Sequence, residues 1–177
     1  MMHLAMVYEA QGRYGEAEPL YKRALAAKER ALGPDHPYLA PQLHRLAHLY
    51  VTQGRYRAAE PLYRRDLANT ERALAPDDVL VAHSLDDMGG FYWEEGRYSE
   101  AESLFKRSLA ISEKKVGPDH PDVAQTLNNL AETFRAQGYG DPEPLYRRAL
   151  AIKERALGPN HPDLALTLSN LAGLYRM

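Results

Sequence analysis

Seven histidines and no cysteine bound the side-chain chemistry open to this 177-residue chain. Without thiols there is no disulfide, no thiolate metal ligand and no sulfur nucleophile. Five of the histidines fall into two arrangements. His36, His120 and His161 occupy one recurring turn, "GPDHP" or "GPNHP", while His44 and His48 stand four residues apart. A metal site needs ligands that converge at about 2 Å from the ion. Turn histidines separated by a whole structural unit cannot do that, and the close pair lacks a third ligand, so His44 and His48 are expected to be polar groove residues. The acids and glycines of "DDMGG" at Asp86 come without the lysine of a phosphate-binding loop. No nucleophile–base constellation recurs either. The chain is read as non-catalytic, with no metal and no cofactor.

Composition agrees with a structural or binding role. A formal net charge of −2 with 26% charged residues carries no nucleic-acid footprint. The longest apolar stretch, "LALTLSNLAGLY" from Leu164, is twelve residues, too short to span a bilayer. The start "MMHLAMVYEAQG" lacks the basic region and cleavage site of a secretory signal. No nucleic acid and no membrane is therefore expected as partner, and the cytoplasm is the expected location.

Any chemistry must be positioned by elements that the chain writes several times over. "EPLYKRALAAKERALGPDHP" from Glu18 returns from Glu143 as "EPLYRRALAIKERALGPNHP", identical at seventeen of twenty positions. Gly12, Gly54, Gly96 and Gly138 are 42 residues apart, as are Leu4, Leu46, Met88 and Leu130, and Leu171 follows after 41. This divides a single domain over residues 1–177 into repeats 4–45, 46–87, 88–129 and 130–170, with a partial copy at 171–177. Each repeat holds two helical patterns. Leu39, Leu43, Leu46, Ala47 and Tyr50 recur at steps of three and four, and Leu62, Tyr63, Leu67 and Ala68 mark a second apolar face. Glu60–Arg64 and its copies Glu18–Lys22, Glu102–Lys106 and Glu143–Arg147 lie on the outer face. The glycine of "GPDHP" suits a helix cap, and Asp35 and Asp119 are expected to cap the helices that follow. In the shortened fourth copy Asp141 is expected as cap and Pro142 as first helical residue. About nine helices result.

The residues Leu46-Ala47, Tyr50, Gly54, Tyr56, Ala59 and Tyr63, with "AEPLYKRAL", "GPDHP" and "TLNNLA", resemble the tetratricopeptide repeat in the 42-residue form of kinesin light chains and their bacterial relatives. The resemblance covers essentially the whole chain. It implies an all-α right-handed superhelix whose first helices line a concave groove that holds a peptide or partner protein. It also implies that asparagine on the first helix, best matched by Asn129 and Asn170, holds the backbone of a bound peptide. Independently, two-helix units that cannot bury their apolar faces alone must stack, leaving a surface suited to extended ligands.

Positions that vary between copies in the groove register are the candidate ligand contacts. They are His44, Arg45 and His48 in the second copy, Asp86, Asp87 and Trp93 in the third, Asn128, Asn129 and Arg135 in the fourth, and Asn170 in the fifth. Arg176 is the fifth-copy counterpart of Arg135. The glycines Gly89 and Gly90 stand beside the only tryptophan, Trp93. Gly89 is explained by close helix packing, whereas Gly90 is expected to open room at Trp93. The basic set at 44–48 and the acids Asp86, Asp87, Glu94 and Glu95 favour a ligand with one acidic end and one basic or aromatic end. The second copy departs furthest: Asp66 and Asn69 replace small or apolar residues, and "APDDV" replaces the glycine turn. Asp66 is expected to reach Arg45, His48 or solvent, and the stack to be loosest at this junction. As an alternative function, the apolar face of "LALTLSNLAGLY" and the incomplete first helix suggest an assembly element, a segment of a longer repeat array, that self-associates through its incomplete end helices.

Overall fold

The computed structural model describes residues 2–174, so Arg176 lies outside the described residues. Its helices are α1 (Met2–Ala10), α2 (Tyr14–Leu32), α3 (Ala40–Thr52), α4 (Tyr56–Ala73), α5 (Val79–Glu94), α6 (Tyr98–Val116), α7 (Pro121–Gln137), α8 (Glu143–Leu157) and α9 (Leu164–Leu174), with a short 3-10 turn at Pro37–Leu39 before α3. No strand occurs among the described residues. The nine helices of the described residues are the ones that the sequence periodicity predicts, and the fold is an all-α repeat. The chain divides into two compact units, Met1–Ala75 and Pro76–Met177. The division falls inside the irregular "APDDV" turn.

In the first unit α1 packs on α2, α2 on α3, and α3 on α4. Leu39, Leu43, Leu46, Ala47 and Leu49 are buried together with Ala17, Tyr21 and Ala59. Leu4 and Val7 of α1 are half-exposed, although their copies Leu46 and Leu49 are buried. In the second unit α5 packs on α6, α6 on α7, α7 on α8 and α8 on α9. Val123, Ala124, Leu127, Ala149 and Ile152 form a core cluster there. The outer pairs Glu60–Arg64, Glu18–Lys22, Glu102–Lys106 and Glu143–Arg147 all form at 2.6–2.8 Å.

The turns assign their residues differently from the sequence expectation. The imidazole Nδ1 atoms of His36, His120 and His161 accept hydrogen bonds from the backbone N–H of Tyr38, Asp122 and Asp163 at 3.1–3.3 Å. Histidine, not aspartate, is thus the helix cap. Asp35 and Asp119 instead take Arg72 at 3.5 Å and Arg155 at 2.7 Å from the next second helix. Beside them Arg65 donates to the carbonyl of Pro34 at 2.6 Å, and Arg148 to that of Pro118 at 2.9 Å. The motif therefore has two jobs: the histidine starts a helix and the aspartate ties two repeats together. The second repeat shows the cap chemistry directly, because Asp78 stands in the histidine position and accepts from Leu80 N–H at 2.9 Å. His120→Ala should lower stability by about 1 kcal/mol in chemical denaturation, whereas His120→Asp should retain it.

Glycine is required where these second helices end. Gly33, Gly117 and Gly158 adopt φ of 91°, 94° and 88° with ψ near 156°, a region closed to side chains. Ala75 stands at that position in the second repeat, and α4 stops one residue early on an extended Leu74 with φ −119°. Buried polar groups accompany it. Asn69 is 1% exposed and donates to the Pro34 carbonyl at 3.3 Å, and Asp66 is 2% exposed, so solvent is not its partner. In the fourth repeat Asp141 Oδ1 accepts from Glu143 N–H at 3.1 Å, restarting the helix as expected, with Pro142 at helical dihedrals in the cap position itself.

Candidate functional site

First helices carry polar residues at one repeated position: His44, Asp86, Asn128 and Ser169. A second polar column, Gln42, Ser84, Thr126 and Thr167, is buried throughout. The columns meet across repeats. Gln42 Nε2 donates to Met2 Sδ at 3.2 Å in the first unit, and Thr126 Oγ1 donates to Asp86 Oδ2 at 2.7 Å in the second. The next rung is not made, since Thr167 Oγ1 accepts from Lys153 Nζ at 3.2 Å, and Asn128 Oδ1 is left buried with no hydrogen-bond partner among the described residues. Asp86 is placed in this ladder with its other oxygen buried and without a hydrogen-bond partner among the described residues. Burial pushes its carboxyl up to about 6, against the lowering effect of the Thr126 and Ser108 hydroxyls.

A cleft of about 370 Å³ opens in the second unit among α5, α7 and α9. Gly90, Trp93 and Glu94 line it from α5, Phe105 from α6, and Gln125, Asn128, Asn129 and Glu132 from α7, while Leu166 and Asn170 close it from α9. Asn128 is 3% exposed. The indole Nε1 of Trp93, whose ring lies 6.3 Å from that of Tyr98, is also buried without a hydrogen-bond partner among the described residues. The cleft therefore borders one unsatisfied donor and one unsatisfied acceptor, each costing about 1–3 kcal/mol while unmet. Gln125 Nε2 donates to Asn129 Oδ1 at 3.0 Å, so that amide is held in place. Glu132 is tied to Arg135 at 2.7 Å and receives the Tyr146 hydroxyl. Nothing in this set resembles a nucleophile with its base, and no group of three or more metal-ligating side chains exists among the described residues.

Of the candidate contacts, the cleft brings together Trp93, Asn128, Asn129 and Asn170. Asp86 sits one turn before Gly90 and is occupied by Thr126, Asp87 is half-buried outside the cleft lining, and Arg135 pairs with Glu132 outside it. His44, Arg45 and His48 belong to the first unit. There the His44 and His48 rings stack at 6.3 Å, His44 meets Tyr63 edge-on at 5.9 Å, and His48 Nδ1 lies 3.0 Å from Glu9 Oε1. Sequence reasoning missed Gln125, Leu166 and Phe105. The first two lie three and four residues before Asn128 and Asn170, on the same helical face, so periodicity could have found them. Phe105 has no such signal, because it comes from a second helix and reaches the cleft only past Gly89.

Among the described residues no helix is long and apolar enough to cross a membrane. A family model described as the tetratricopeptide repeat matches residues 1–72 and 78–139, and a second model of the same description matches 123–163. The chain belongs to the tetratricopeptide-repeat family. Its array is of the kinesin light chain type. The crystal structure of a Podosopora anserina putative kinesin light chain with nearly identical TPR-like repeats superposes with a TM-score of 0.79 at 25% identity, covering 99% of this chain and 83% of that one. BtubC (BKLC) from P. vanneervenii superposes at 0.71 with 26% identity, over 93% of this chain and 64% of its own. Pseudomonas aeruginosa pilF, at 21% identity and a TM-score of 0.67 over 99% of this chain and 67% of its own, shares the fold. No curated protein matches the sequence. As a tetratricopeptide-repeat array, the chain is a protein-interaction scaffold.

Proposed function

We propose that this tetratricopeptide-repeat protein binds an extended peptide or partner segment in the cleft among α5, α7 and α9, without catalysing a reaction. The observation that carries the reading is the orphaned pair, Trp93 Nε1 and Asn128 Oδ1. A peptide group offers a carbonyl and an N–H together, the two complements that this donor and acceptor lack. The amides of Gln125, Asn129 and Asn170 add donors and acceptors that ask for backbone and not for any one side chain. A cleft bordered by helices of successive repeats suits a chain better than a compact substrate. Leu166 walls the cleft, so an occupant also covers part of the apolar face of α9 that the sequence offers to a second copy.

Trp93, as the only tryptophan, reports on the site by itself. Peptides selected from a random library on the immobilised protein should change its fluorescence on titration. Trp93→Phe keeps a ring but loses the N–H, and should weaken those peptides by about fivefold to tenfold. Selected peptides that leave the emission unchanged and bind Trp93→Phe as well as wild type would refute the reading.

A further inference from the structure

Three features bordering the cleft run against the energetics of their own helices. Gly90 lies inside α5, where glycine is a poor helix former, yet a Cβ built there meets nothing within 4 Å. Neighbouring Gly89 has a packing reason, because its Cβ would come within 2.7 Å of the Phe105 ring. Gly90 has none inside the fold; its missing side chain leaves open cleft. The second feature is Glu94, the last residue of α5. Free carbonyls give a helix C-terminus partial negative charge, so a carboxylate there is unfavourable and a cation favourable. Glu95 is held by Arg97 at 3.3 Å and Glu132 by Arg135 at 2.7 Å, but Glu94 has no ion-pair partner among the described residues. The third is the unsatisfied pair, Trp93 Nε1 and Asn128 Oδ1. Local rules broken without internal compensation collect where a protein meets something outside itself. Gly90 and Glu94 are four residues apart, on one helical face, and among the described residues no lysine or arginine lines the cleft.

We propose that the cleft takes a peptide segment in which an apolar side chain stands beside a lysine or arginine. The apolar group fills the space left by Gly90 against Trp93 and Phe105, and the cation reaches the Glu94 carboxylate at the end of α5. This rests on the peptide reading above and adds its chemistry. An acidic segment meets Glu94 and the α5 terminus with like charge and is excluded.

The test pans a random-peptide phage library on immobilised wild-type protein. Synthetic forms of the selected peptides are then titrated against wild type, Gly90→Leu, Glu94→Gln and Glu94→Lys. Selected peptides should share an apolar residue next to a basic one. Gly90→Leu should weaken them by about tenfold or more by filling the space, with an unreduced melting temperature to show that the fold is intact. Glu94→Gln should weaken them severalfold, and Glu94→Lys by about tenfold or more. Peptides that lose affinity on Gly90→Leu yet carry no basic residue and ignore Glu94→Lys overturn this inference and leave the peptide reading standing. No enrichment on wild type, or enriched peptides indifferent to Gly90→Leu, overturns both.

Discussion

Asp86→Asn is expected to make the protein more stable at neutral pH and to flatten its stability between about pH 4 and pH 6. Asp86 is flanked by His83 and Asp87 on its own helix and faces Ser108 on α6 and Thr126 on α7. Thr126 satisfies one carboxylate oxygen at 2.7 Å, and the other is buried without a partner. Burial is the dominant cause that raises the carboxyl from 3.8 to about 6. The sign follows from proton binding. Between those two values the folded state keeps a proton that the unfolded chain has released, so stability falls as pH rises through that window and stays reduced above it. Each tenfold change in proton affinity is worth about 1.4 kcal/mol, so the ionised side chain costs up to about 3 kcal/mol at neutral pH. Asparagine, which stands at the same repeat position as Asn128, keeps an acceptor for Thr126 and carries no charge. Urea unfolding of both proteins from pH 4 to pH 8 should show a stability difference in favour of the variant that opens with rising pH and levels off above about pH 6. A difference that is constant with pH would show that Asp86 is not buried as described. Glu18 works in the opposite direction: hydrogen bonds from Lys22 and Arg55 hold its carboxyl at about 2. The variant-minus-wild-type difference isolates Asp86 from such groups.

The same substitution at two adjacent glycines should have opposite effects. Gly89→Leu pushes side-chain atoms into the Phe105 ring, whose atoms already lie 2.7–3.1 Å from an added Cβ. Phe105 is 1% exposed, so its ring makes room only by shifting against packed neighbours or into the cleft it borders. Overpacking of this kind costs about 1–3 kcal/mol or more, less the helix-propensity gain of somewhat under about 1 kcal/mol. Gly90→Leu meets no atom, so only the propensity gain applies, and stability should rise by up to about 0.8 kcal/mol. The two variants should therefore differ by several degrees in melting temperature, at about 2–4 °C per kcal/mol for a chain of this size. Equal melting temperatures would contradict the helix packing of α5 on α6. Gly89→Ala is the mild case. Ala5, Ala47 and Ala131 stand at its position in other copies, each matched with Tyr21, Tyr63 and Tyr146 where repeat three has Phe105.

The repeat, its two-helix unit and the number of helices were legible from the order of residues, and the family from the resemblance of the repeated motifs. The first three rest on contacts between residues three, four or 42 apart, and such spacing is written directly in the chain. The departure of the third copy at Trp93 was legible too, because a break in a repeat is visible without coordinates. Which polar groups are satisfied emerged only from the packed helices. His120 and Asp119 both carry a group able to cap α7, and only the position of Arg155 at the next second helix assigns the aspartate to an ion pair and leaves the cap to the imidazole. Asn128 and Asp86 occupy the same repeat position, yet one lines the cleft with an orphaned oxygen and the other is taken by Thr126. Hydrogen bonding depends on distance and direction within a few tenths of an ångström, which a pattern of residue types does not encode. Phe105 reached the cleft for a similar reason: the absence of a single Cβ at Gly89 is a steric fact between two helices, not a feature of either one.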